Sequence, residues 1–97
     1  MKYFLILSNL TDEGKKTVKQ FPHRVEVVNK AMRSLGTKIV AQYALLGPYD
    51  FITIVEAENE KVVLKAAMEL GSRGTVKTIT LPAIPIDEFV REFSDFD

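Results

Sequence analysis

The chain has 97 residues, 46% of them apolar and 27% charged, with no cysteine and a net charge of zero. That length holds one hydrophobic core, so a single domain over residues 1–97 is expected, and the apolar fraction is too high for intrinsic disorder. Without cysteine there are no disulfides, zinc–thiolate sites, iron–sulfur clusters or thiol catalysis. The sole histidine, His23, is left for metal or proton-transfer work.

Zero net charge argues against a general nucleic-acid binder, yet it hides an asymmetry. Residues 1–48 carry eight Lys and Arg against three Asp and Glu, a net of +5, while residues 49–97 carry five against ten, a net of −5. The simpler reading is of solvated helix faces whose attraction assists folding or self-association. The opening run Tyr3 to Leu7 is too short for a signal peptide and leads into Thr11-Asp12-Glu13 with no cleavage site. No stretch reaches the roughly 20 apolar residues that span a bilayer. A cytoplasmic protein with no membrane partner is expected.

Lys2 to Ser8 is a compact aromatic and aliphatic run of strand length. Thr11 then caps a helix whose apolar stripe is Val18, Phe21, Val25, Val28, Met32 and Leu35. Pro22 interrupts the stripe, so the helix kinks or restarts there, and Gly36 closes it. Thr37 to Leu46 and Asp50 to Ala57 read as second and third strands, joined through Gly47-Pro48-Tyr49-Asp50 as a hairpin. Asn59 caps a second helix with Val62, Val63, Ala66, Ala67 and Leu70 on one face, and Gly71 and Gly74 are its expected stops. Thr75 to Leu81 alternates as a fourth strand. The Pro82 to Pro85 region is expected to break it before a last amphipathic helix carrying Ile86, Phe89, Val90 and Phe93.

The order β, α, β, β, α, β, α is that of an α+β, ferredoxin-like βαββαβ sandwich with an extra C-terminal helix. Right-handed crossovers place both connecting helices on the same face of the sheet. The strands, however, are apolar on both sides: Tyr3, Leu5 and Leu7 alternate with Phe4 and Ile6, and Val55 with Ile52 and Ile54. The face without helices needs a cover. A second copy of the same sheet, related by a two-fold axis, is the simplest one, and the final helix is an alternative for part of it.

Leu46-Gly47-Pro48-Tyr49-Asp50-Phe51, then Val55-Glu56-Ala57, then Leu70-Gly71 to Gly74 and Val76 to Ala83, together with Asp12-Glu13-Gly14 and Pro22-His23-Arg24, resemble the GYD-domain family over nearly the whole chain. The resemblance implies a dimeric α+β barrel and no settled activity. The hairpin-to-Thr-x-Thr pattern is also similar to the effector-binding domain of Lrp/AsnC-type regulators, which bind small molecules between subunits. Their DNA-binding helix-turn-helix has no counterpart in this sequence, so no nucleic-acid partner is expected.

Five residues are candidates for binding a small ligand near a subunit interface. Tyr49 and Asp50 offer a phenol and a carboxylate beside the hairpin turn; equally, the Asp can bond its own backbone and the Tyr can pack over the strand end. Thr78 and Thr80 share one face of the fourth strand and would place two hydroxyls in a dimer chamber if that face points inward, although β-propensity alone also accounts for them. Tyr43 is a candidate cavity wall or a plain core residue. His23 and Arg24, at the helix restart, suit an anion or simply a solvated helix start.

There is no Gly-rich phosphate loop, metal-ligand spacing or nucleophile elbow, so neither a metal nor a cofactor is expected. Glu56, Glu58 and Glu60 fit the run-in to a helix N-terminus. Two function classes follow. One is a small-ligand-binding or assembly module working as a homodimer or higher homo-oligomer. The alternative is a cofactor-independent enzyme of monooxygenase or isomerase type, which requires an enclosed cavity with a titratable side chain of displaced pKa pointing into it.

Overall fold

The structure is a computed structural model that describes residues 1–94. Its elements are β1 (Lys2–Leu10), α1 (Asp12–Gln20), α2 (Arg24–Ser34), β2 (Lys38–Ala44), β3 (Phe51–Ala57), α3 (Glu60–Ser72), β4 (Val76–Ala83) and α4 (Ile86–Phe93). The four strands form one antiparallel sheet in the order β2-β3-β1-β4, the ferredoxin-like arrangement. Both crossovers run from an inner strand to an edge strand.

Alternation along the strands sorts their side chains into two sets. Phe4, Ile6 and Ser8 of β1 and Thr53, Val55 and Ala57 of β3 are buried on the helix side. There they join Met32 of α2 and Val63, Ala66 and Leu70 of α3 in one core. α4 buries none of its residues. The molecule measures 53 × 29 × 18 Å with a radius of gyration of 15.0 Å, against about 13 Å for a compact chain of this size.

Local chemistry explains the helix boundaries. The Thr11 hydroxyl accepts from the Gly14 N–H at 3.1 Å and donates to the Gly74 carbonyl at 2.9 Å, so one side chain caps α1 and ties it to the entry of β4. Gly14 is needed because a Cβ there would overlap the Thr75 carbonyl oxygen. Pro22 ends the first helical segment as expected, and α2 restarts at Arg24. Asn59 caps α3 through the Val62 N–H at 3.2 Å.

Several boundaries move relative to the sequence reading. β4 continues through Pro82, which stands opposite Phe4, to Ala83; an edge strand tolerates proline because its outer donors pair with nothing in the sheet. Gly71 lies inside α3, and the chain turns at Gly74, whose φ is +74°. β2 stops at Ala44, and the hairpin is closed by the Leu45 N–H donating to the Asp50 carbonyl at 2.8 Å.

Candidate functional site

The side of the sheet opposite the helices carries Tyr3, Leu5 and Leu7 of β1, Ile52 and Ile54 of β3, Tyr43 of β2, and Ile79 and Leu81 of β4. The register fixes this placement, setting Leu5 against Ile54 and Leu81, Leu7 against Ile52 and Ile79, and Tyr43 against Ile52. Tyr43 is 60% exposed, Ile79 48% and Leu81 45%. Isolated surface apolar residues are ordinary, whereas a continuous patch across four strands marks an interaction surface.

One end of this face is polar. Tyr3 stands opposite Glu56, and Glu56 opposite Lys38, whose ammonium lies 4.0 Å from the carboxylate. The Glu56 carboxylate pushes the Tyr3 pKa up, first by hydrogen bonding and then by its charge. The row Tyr3, Glu56, Lys38 forms a polar border to the apolar patch. Lys77, opposite Asn9, adds a second cation near the other end of the same face.

The helix side contains a cavity of about 80 Å³ beneath the elbow where α1 meets α2. Ile6, Val25, Val28, Met32, Phe51 and Leu70 supply most of its apolar wall, and Ser8, Thr17, Asn29, Gln42, Thr53 and Thr75 line its polar part. Asn29 and Gln42 pair reciprocally through their amides at 2.7 and 3.1 Å, and Gln42 Nε2 also donates to Thr53 Oγ1 at 2.9 Å. Arg24 lines the same cavity from the first position of α2. Tyr3 and Glu60, whose pKa values are displaced, both lie outside this wall.

The structure does not bring the five ligand-binding candidates together within one protomer. Tyr43 sits on the uncovered face, on edge strand β2. Thr78 and Thr80 stand opposite Ser8 and Ile6, which turns them to the helix side of the other edge strand, β4. Asp50 acts as a clasp: its N–H donates to the Ser8 carbonyl at 2.9 Å, and its carboxylate accepts from the Leu10 N–H at 2.8 Å. The turn carboxylate thus completes the β1 end of the sheet. Tyr49 is half-buried in the same turn. His23 is exposed, with its Nδ1 3.8 Å from the Glu26 carboxylate, and its side chain does not cap α2.

Sequence reasoning missed Ser8, Asn29, Gln42 and Thr53. Their signal was available as polar residues interrupting apolar stretches at core-facing positions, Ser8 continuing Phe4 and Ile6, and Thr53 preceding Val55 and Ala57.

A family model, the GYD domain, matches residues 4–92. The glutamine synthetase and cystathionine beta-lyase binding protein of Thermus thermophilus is 48% identical over 91 residues, which span 93% of this chain and 96% of that protein. Among solved structures, MtbAldR superposes with a TM-score of 0.66 at 19% identity, covering 87% of this chain; this chain spans only 52% of MtbAldR. TTHA0845, also from Thermus thermophilus, superposes with a TM-score of 0.58 at 21% identity, covering 88% of this chain and 95% of that one. At these identities the two structures share the fold.

Proposed function

The chain belongs to the GYD domain family, and from that premise we propose that it is a self-associating protein-binding module that docks onto metabolic enzymes. The observation carrying this reading is the apolar face of Leu5, Leu7, Ile52, Ile54, Ile79 and Leu81, which no helix among the described residues covers. A second copy fits it by symmetry, because both signs of charge border the patch in Glu56, Lys38 and Lys77, and a two-fold axis lets each copy answer the other. The chamber between two such sheets would receive Tyr3, Tyr43 and Glu56 as its polar groups.

The enzyme-binding part draws its support from the Thermus relative, whose name records glutamine synthetase and cystathionine beta-lyase as its partners. A homodimer, or a larger homo-oligomer, would present its helix layers outward as docking surfaces of defined spacing. The test has two arms. Sedimentation at micromolar concentration is expected to give a dimer or larger mass, and Ile54→Glu, which places a charge at the centre of the face, is expected to give a monomer. A wild-type monomer would overturn the self-association. Biolayer interferometry against purified glutamine synthetase and cystathionine beta-lyase from the source organism is expected to show saturable binding, and a flat response to both would remove the enzyme-docking reading.

A further inference from the structure

We propose that the cavity under the α1–α2 elbow is a binding site for a short-chain aliphatic monocarboxylate. The site lies on the helix side of the sheet, inside one protomer, and so stands apart from the uncovered face.

Three observations define the ligand. Ser8 is only 8% exposed, yet its hydroxyl has no hydrogen-bond partner among the described residues. Among those residues no side-chain polar atom that is fully shut away from solvent lacks a partner, so the Ser8 hydroxyl opens on the cavity it lines. A hydroxyl that opens on an internal space with no protein partner is left to bond with whatever occupies that space.

The remaining polar groups are arranged as donors. Thr53 Oγ1 already accepts from Gln42, which leaves its own proton to offer, and the Asn29 and Gln42 amides are spent on one another. Arg24, exposed and with no ion-pair partner among the described residues, is the one cationic residue among those lining the same cavity. Among the described residues no Asp or Glu lines the wall. A wall carrying a cation and several hydroxyl protons, with no acid to neutralise the cation, selects an anion that accepts several hydrogen bonds, and a carboxylate is the compact form of one.

The apolar wall and the volume set the rest of the molecule. Val25, Val28, Met32 and Leu70 accept an alkyl group, and about 80 Å³ is roughly half of an engineered cavity that admits benzene. A branched chain of three or four carbons is therefore the size that enters, with its carboxylate toward Ser8 and Arg24.

The experiment is a titration of the ¹⁵N-labelled full chain with isobutyrate and, in parallel, with its neutral counterpart isobutyramide, followed by amide chemical shifts. Isobutyrate is expected to move the signals of Ser8, Val25, Val28 and Thr53 and to bind about tenfold more tightly than the amide. Arg24→Gln, a change at an exposed position that leaves the core intact, is expected to abolish that preference. Ser8→Ala is expected to weaken isobutyrate severalfold. Equal affinities for acid and amide, or shifts confined to residues of the uncovered face such as Leu5 and Tyr43, would overturn the assignment. So would an absence of shifts at millimolar ligand. Because the cavity belongs to one protomer, binding is expected to survive in Ile54→Glu, which separates failure here from failure of the assembly.

Discussion

The two crossovers perform the same topological task with unequal packing. The second, α3, is one unbroken helix of 13 residues that buries Val63, Ala66 and Leu70 against the sheet. The first spends two helices, of 9 and 11 residues, and buries only Gly14 and Met32. Pro22 divides its apolar stripe, and Phe21, beside the break, is left 66% exposed. A continuous stripe seats a helix along its whole length, whereas a broken one holds it at two points and leaves space between. Here that space is the cavity, and the buried polar residues collect around it. The same comparison separates the part of the fold that supplies stability from the part with room for a ligand.

The largest effect expected is at one of the two points holding the first crossover. Gly14→Ala forces a methyl group into the Thr75 carbonyl, and a loss of about 3 kcal/mol or more is expected in urea unfolding. A loss below about 1 kcal/mol would mean that α1 is not pinned there. Next, matched truncations compare the helices directly. Val63→Ala is expected to cost about 2 kcal/mol, and Val28→Ala, at a position only partly buried, less than about 1 kcal/mol. Equal costs would erase the contrast between a tight and a loose crossover.

The caps give a smaller version of the same difference. Removing the Asn59 side chain as alanine is expected to lower stability by about 1 kcal/mol, whereas His23→Ala, which removes no cap, should stay within about 0.5 kcal/mol. The smallest effect concerns pH. The hydrogen bond from Lys2, at 2.8 Å, holds the Glu60 carboxyl below the usual carboxylate range. The folded pKa being the lower one, its contribution is present above the ordinary carboxylate pKa and is lost as pH falls through the depressed value. Carboxyl NMR titration of Lys2→Gln should return Glu60 toward the ordinary range; an unmoved titration would assign the shift to another source.

The order of the elements, both crossovers and the break at Pro22 were legible because period and punctuation encode them locally. Pro22 stops one apolar stripe, and Asn59 opens another where the cap is later found. The candidate site was less legible, since face assignment depends on register, and a one-residue slip reverses it. Thr78 and Thr80 show the difficulty: their alternation was clear, but only pairing with Ser8 and Ile6 shows which side they take. Asp50 illustrates a second limit, because a turn carboxylate looks alike whether it meets a ligand or, as here, the N–H of Leu10 forty residues away. The cavity polar set was hidden for a third reason. Ser8 and Asn29 come from segments far apart in the chain, and no local pattern announces that they meet.

The rims of the sheet carry a consequence of their own. Edge strand β4 contains Pro82, which removes a backbone donor, and edge strand β2 changes register between Ile39 and Ala41, with Val40 in the irregularity. Both outer margins are therefore poor templates for an added strand. A chain with apolar residues on two faces of its sheet runs the hazard of fibrous growth, strand on strand without limit. Blunted rims close that route, and they leave the closed face-to-face pairing proposed above as the way two copies would meet.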